Sequence, residues 1–214
     1  MNTSTEARLS LLAEDAAVAP PGLEYLTEFL TAHEEAALLG WIDGSEWLSD
    51  LSRRVQHYGY KYDYSTRRLD ESARIGPLPP WLAELTHKIH AAAADQTVRL
   101  IDAQRPFEQA IINEYEPGQG IAPHIDRDCF GSVAATVSLG SAVDMDFSCG
   151  STGEEYVLRL EPRSLVLLHG DARWRWRHGI AKRRTDTCNG HKVARQRRVS
   201  ITFRTIAGPE ATQT

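Results

Sequence analysis

Cysteine is scarce in this chain, and methionine scarcer: three and two, respectively, in 214 residues. Cys129, Cys149 and Cys188 are odd in number and irregularly spaced. They exclude a disulfide framework and point to a reducing, cytoplasmic environment. Long apolar runs are also missing, and none approaches the roughly 18 residues that a membrane span requires. The N-terminus lacks the basic-then-apolar order of a signal peptide, because Glu14 and Asp15 interrupt its Leu/Ala patch. No membrane association is therefore expected. Nor is there an excess of positive charge: the net charge is −5, which argues against a nonspecific polyanion binder.

What remains is ordinary globular composition, long enough for one sizeable core. Residues 1–22 are rich in Ser, Thr and Ala and close on Pro20-Pro21-Gly22, as a loose tail would. One domain is expected over 23–207, with a second tail at 208–214. Leu23 to Leu30 reads as a short strand. Thr31-Ala32-His33-Glu34 fits a capping box, opening a helix over Ala32 to Ile42. Pro80 suits the first turn of a second helix, about Trp81 to Ala94. Tyr58, Tyr60, Tyr62 and Tyr64 recur every second residue, which as a strand puts four phenols on one face. They serve either as hairpin packing or as a platform for a planar ligand. After residue 107, β-rich runs occur at about 109–115, 132–140, 143–148, 155–160, 164–169 and 197–206. This is the pattern of a mainly β jelly roll with helices packed on one side.

The stretch N-E-Y-E-P-G-Q-G-I-A-P-H-I-D-R-D, residues 113–128, organises the rest. In extended backbone His124 and Asp126 share a face and can converge on one point. An imidazole and a carboxylate placed so are two of the three ligands of a facial non-haem iron site. The third would be a distant histidine, His169 or His178, which spacing alone does not separate. His169 ends an apolar run and suits a strand-end role, so His178 is preferred. The final strand alternates cleanly: Arg198, Ser200, Thr202 and Arg204 on one face, Val199, Ile201 and Phe203 on the other. Two guanidinium forks and two hydroxyls turned to one cavity would suit a dicarboxylate.

N-x-Y-x-P-G, H-x-D, H-G-I and R-x5-R, in that order, resemble the AlkB family of Fe(II)/2-oxoglutarate-dependent dioxygenases, over roughly residues 53–205. The resemblance implies a double-stranded β-helix in which His124, Asp126 and His178 bind Fe(II). It further implies that Asn113, Tyr115, Arg198, Ser200, Thr202 and Arg204 contact 2-oxoglutarate, with O₂ as co-oxidant. Tyr60, Lys61 and Tyr62 match the family's nucleotide lid, here about residues 50–75, and Asp128 matches a substrate-contacting position. Two departures stand out: Ser200 where the family usually carries Asn, and Arg53 where bacterial members carry a stacking Trp. Y-E-P-G-Q-G-I-x-P-H-I-D, with S-L-G-S and M-D-F following, is closer to the tRNA-modifying eukaryotic homologues.

The expected activity is oxidation of alkylated or modified bases in DNA or RNA, including tRNA, by a monomer. Demethylation of the DNA-repair type follows if an N-methyl group is hydroxylated, and RNA modification if the hydroxyl stays. Hydroxylation of a protein side chain is the rival chemistry, and a catalytically silent jelly-roll sensor the rival class. Between Arg173 and Arg198 ten Lys/Arg stand against one acid, Asp186, as phosphate docking would require. A solvated loop accounts for the same charge. Trp174 and Trp176 read as core residues alternating with exposed arginines on a strand. Cys188 and His191 form a C-x2-H pair with no second pair to complete a zinc site.

Overall fold

The structure, a computed structural model, describes residues 18–49, 52–61, 71–95 and 106–207. In chain order its elements begin with β1 (Leu23–Leu26), α1 (Ala32–Asp43), β2 (Val55–Tyr58) and α2 (Pro80–Asp95). Then come β3 (Gln109–Tyr115), β4 (Ile121–His124), β5 (Phe130–Gly140), β6 (Val143–Cys149) and β7 (Glu155–Leu160). The chain closes with β8 (Ser164–Leu168), α3 (Gly170–Trp174), β9 (Trp176–Ile180), β10 (Thr185–Cys188), β11 (His191–Ala194) and β12 (Arg198–Ile206).

Period-two hydrophobicity decides how these strands stack. Six form one sheet, ordered β1-β8-β5-β12-β3-β2, and four form a second, ordered β4-β9-β6-β7, while β10-β11 is a separate hairpin. The large sheet buries its outer face under α1 and α2. Val199, Ile201 and Phe203 of β12 join Ile112, Val137, Leu165 and Leu167 against Leu38, Ile42, Leu82 and Ile89. A second apolar cluster, including Val143, Phe147, Leu158, Val166, Leu168 and Trp176, combines small-sheet residues with the alternate residues of β8. This is the expected jelly roll with helices on one side. The α1 capping box forms as read: Thr31 Oγ1 accepts from Glu34 N–H, and Thr31 N–H donates to Glu34 Oε2 at 2.7 Å.

Four local expectations change. The first strand stops at Leu26, ahead of Glu28 in a left-handed conformation (φ 54°). Residues 20–22 are not a loose tail: the Pro21 carbonyl accepts from Ala172 N–H, and the Gly22 carbonyl from His169 N–H. The tyrosine-rich strand ends at Tyr58, because Gly59 turns the chain at φ 77°, where a Cβ would strike the Glu108 carbonyl. Tyr58 lies opposite Ala110 and meets Trp81 edge-on at 5.7 Å, on the helix side rather than the inner face. Tyr62 and Tyr64, with residues 1–17 and 208–214 of the expected tails, lie outside the described residues. Finally, α3 interrupts the expected Trp174–Trp176 strand, leaving Trp176 buried on β9 but Trp174 43 % exposed.

Glu114 faces away from its neighbours Asn113 and Tyr115, as alternation requires. It accepts from Arg54 (Nη2, 2.8 Å) and Arg197 (Nε, 2.6 Å), and Arg197 also reaches Asp43. Burial opposes ionisation of Glu114, but the bonds from the two arginines outweigh it and hold its pKa below the usual value. A depressed folded pKa stabilises the fold above the unfolded value of about 4.3 and is lost as pH falls below it. Glu114→Gln is expected to cost about 1–3 kcal/mol at neutral pH. It should also flatten the acid limb of the stability profile, both read by urea unfolding from pH 7 to 3.

Candidate metal centre and cosubstrate pocket

β4 and β9 run antiparallel with His124 directly opposite His178. Their register shifts between Ile121 and His124, where Pro123 has no N–H to give to the ladder. The approach is close. A Cβ on Gly179 would fall 2.9 Å from Pro123 N and Cα, so the residue after His178 has to be glycine. Asp126 follows two residues after His124. One ligand atom from each of His124, Asp126 and His178 lies within 4.8 Å of the others, and this is the only such cluster of three among the described residues. His169 is not in it. It precedes α3 and pairs through Nε2 with Glu24 at 3.1 Å, the strand-end role expected of it.

The donor set suits a divalent metal. His124 Nδ1 lies 2.9 Å from the Ala122 carbonyl; a carbonyl only accepts, so the proton sits on Nδ1 and the Nε2 lone pair is free. Nε2 is 3.7 Å from Asp126 Oδ1. His178 is buried, its Nδ1 has no hydrogen-bond partner, and burial pushes its pKa down to about 4. It is therefore neutral and able to ligate. Burial would raise the Asp126 pKa, but Arg204 and the nearby imidazoles hold its carboxyl well below the usual range. Arg204 donates Nε and Nη2 to the two Asp126 oxygens at 3.0 and 2.8 Å. The three side chains could thus hold a divalent metal between them.

The wall beside the triad comes from β12 and β3. Arg198 pairs with Tyr115, Ser200 with Asn113, Thr202 with Ile111 and Arg204 with Gln109, so these residues share the inner face. Asn113, Arg198, Ser200 and Thr202 are all buried. Arg198 lies 5.3 Å from the Tyr115 ring centroid and donates Nη2 to Ser138 Oγ at 2.9 Å, while its Nε has no partner. Thr202 Oγ1 meets Thr136 Oγ1 at 3.0 Å. A cavity of about 720 Å³ opens over one end of this wall, lined by Asn113, His124, Asp126 and Arg204 together with Ile111 and Phe130. Ser200 and Thr202 do not line it, and Tyr115 and Arg198 border a separate small pocket with Ile180.

Residues expected to meet the substrate lie elsewhere. Tyr60 is buried and bridges to Arg74, Lys61 is exposed with its N–H on the Ala73 carbonyl, and Asp128 is exposed; none lines the cavity. Tyr62 falls outside the described residues. The basic segment divides. Arg173, Arg195 and Arg198 are buried, and Arg175, Arg183 and Arg197 are paired with acids. Arg177, Lys182, Arg184 and Lys192 remain exposed with no acidic partner among the described residues, and Arg177 lines the cavity.

Two arginines that sequence reasoning gave no part in the centre prove central to it. Arg53 enters the cavity wall. Arg173, only 1 % exposed, donates to the carbonyls of Asp126 (2.8 Å), Arg127 (2.6 Å), Phe130 (3.3 Å) and Gly131 (3.2 Å). It closes the loop carrying Asp126 from the segment that leads to His178. Nothing in G-D-A-R-W sets this arginine apart from its charged neighbours. Arg173→Lys removes the fork and is expected to weaken Mn(II) binding about 10- to 100-fold, measured by calorimetry under nitrogen. Unchanged affinity would mean that the loop holds its shape without it.

Residues 22–204 match the family model of the 2OG-Fe(II) oxygenase superfamily. An Arabidopsis thaliana protein named alkylated DNA repair protein ALKBH8 homolog is 34% identical over 87% of this chain and 58% of its own length. A Xenopus tropicalis protein named tRNA (carboxymethyluridine(34)-5-O)-methyltransferase alkbh8 is 35% identical over 78% of this chain. This chain spans only 26% of that relative. Among solved structures, OsALKBH1 superposes with a TM-score of 0.68 at 16% identity, over 88% of this chain and 98% of that one. Family match, fold and triad agree: the chain belongs to the 2OG-Fe(II) oxygenase superfamily, within its AlkB family, and is a dioxygenase that uses Fe(II), 2-oxoglutarate and O₂.

Proposed function

We propose that His124, Asp126 and His178 hold the iron, that Asn113, Tyr115, Arg198, Ser200, Thr202 and Arg204 receive 2-oxoglutarate, and that the substrate is an alkylated or modified base in nucleic acid. The observation that carries this reading is the triad's convergence within 4.8 Å, beside a wall bearing two buried or part-buried guanidinium groups. When bound, iron with O₂ and 2-oxoglutarate supplies hydroxylation of a substrate C–H, releasing succinate and CO₂.

The chain's own residues prepare that chemistry. Arg198, with an unpartnered Nε in a buried position, offers a charge-assisted site for the far carboxylate. Arg204 spends two of its donors on Asp126 and keeps Nη1, whose nearest partner is Gln109 Oε1 at 3.4 Å, for the cosubstrate. Ser200 is shorter than the asparagine usual in the family, so Asn113 opposite it carries more of the polar contact. Ile111, Ile121 and Phe130 give the cavity apolar sides that limit water.

Support for a nucleic-acid substrate comes from the names of the relatives and from four exposed cations, Arg177, Lys182, Arg184 and Lys192. Lys61 and Asp128 are exposed outside the cavity lining, so any contact they make would be with the nucleic acid flanking the base. The Xenopus relative's name favours tRNA over DNA repair as the setting. All three cysteines are free thiols, which suits the cytoplasm, and one chain supplies the whole site, so a monomer suffices.

With Fe(II), 2-oxoglutarate, ascorbate and methylated DNA, methylated RNA or tRNA, the protein is expected to form succinate only when oxygen is present. His124→Ala should reduce this to background; succinate from none of these substrates, or from the variant equally, would refute the reading. Mass spectrometry of the products separates the outcomes: formaldehyde release marks demethylation, and a nucleoside heavier by one oxygen marks stable hydroxylation. Affinity for the nucleic acid should fall steeply with added salt.

A further inference from the structure

Arg53 lies in the segment just before β2 and is 8 % exposed. Its Nε donates to Asn113 Oδ1 at 2.8 Å, and its guanidinium carbon lies 5.6 Å from the Tyr115 ring centroid. Among the described residues no carboxylate reaches it. Its neighbours differ: Arg54 turns outward to Glu114, and Arg204 is neutralised by Asp126. A buried guanidinium without a counter-charge is costly unless a ligand supplies one. Both Arg53 Nη groups are free of described partners, and the side chain lines the cavity onto which His124 and Asp126 open.

The rest of the cavity has the same sign. Arg127 and Arg177 stand on it, both exposed, and Asp126 is its only carboxylate among the described residues. Since Arg204 already offsets Asp126, the cavity keeps positive charge that no described residue of the wall balances. The two carboxylates of 2-oxoglutarate have Arg198 and Arg204 on β12. Arg53 comes from a different element, beyond Asn113, at the edge of the large sheet.

We propose that Arg53 is a specificity-determining residue that binds an anionic group, a carboxylate or a phosphate, on the nucleotide brought to the metal. This deepens the reading of the site as an oxygenase acting on nucleic acid. Arg53 then replaces stacking on the base by charge recognition beside it. A carboxylate would sit on the base's own side chain and a phosphate on its sugar, and the two are separable by probe.

The test uses the full chain loaded with Mn(II) and 2-oxoglutarate under nitrogen. Binding of uridine, uridine 5′-monophosphate and 5-carboxymethyluridine is measured by calorimetry. Wild type should bind one anionic probe at least about tenfold more tightly than uridine; the monophosphate identifies a phosphate, the carboxymethyl nucleoside a carboxylate. Arg53→Met should abolish that preference, Arg53→Lys should keep part of it, and both should bind 2-oxoglutarate within twofold of wild type, which also reports an intact fold. No preference in wild type overturns the proposal. So does a variant that loses 2-oxoglutarate affinity while keeping the preference, since Arg53 would then serve the cosubstrate. Neither result depends on turnover, so a failed succinate assay and a failed anion preference remain distinct.

Discussion

The Asp126–Arg204 fork is the interaction on which the site depends. Asp126 follows β4 of the small sheet and Arg204 belongs to β12 of the large one, so one ion pair spans the mouth of the jelly roll. Its geometry is bidentate, and both partners are largely shielded from water. A buried pair of this kind repays its desolvation only when the remaining donors and acceptors are satisfied. Here Gln109 lies within reach of the third guanidinium nitrogen, and the carboxylate has His124 beside it. The same pair keeps Asp126 ionised and fixes the distance between the triad and the wall opposite.

Around that pair the sheets divide the work. β4 and β9 set the two histidines across from one another, and the close approach at Gly179 leaves no room for a side chain. Arg173 then draws the backbone of residues 126–131 into place by binding four of its carbonyls. It is a cation used without a directly bonded anion, which differs from every other buried or part-buried arginine near the centre except Arg53 and Arg198. Arg173 has backbone dipoles to compensate it, whereas Arg53 lines the cavity and Arg198 keeps a buried, unpartnered Nε.

Much of this was legible in the order of residues. Strict alternation in 198–204 told which side chains face inward, because a strand has period two and its apolar half must be buried. The capping box at Thr31 and the β-rich runs after 107 were equally local signals, and the observed boundaries fall close to them. H-x-D marked two side chains that converge on one point for the same reason. What could not be read were features decided by long-range burial. Ten basic residues between 173 and 198 looked like one docking surface, yet most are buried or paired with acids far away in the chain, such as Asp43, Glu114 and Asp144. Tyrosine spacing suggested a longer strand because periodicity is blind to the backbone turn at Gly59. Arg173 looks like any surface arginine until the elements that enclose it are in place, and Arg53, marked only as a departure from a stacking Trp, shows its place in the cavity wall only then.

Asn113 links the inferred anion site to the wall proposed to receive the cosubstrate, because it accepts from Arg53 and lies across from Ser200. Tyr115 repeats the connection, with Arg53 and Arg198 both near its ring. Two ligands that share such intermediaries are thermodynamically linked, and linkage is reciprocal. Whatever factor 2-oxoglutarate applies to the affinity for a nucleotide anion, that anion must apply to the affinity for 2-oxoglutarate. Where that factor exceeds one, the cosubstrate is held most firmly once the correct base has arrived, which restrains oxidation that has no substrate to consume it.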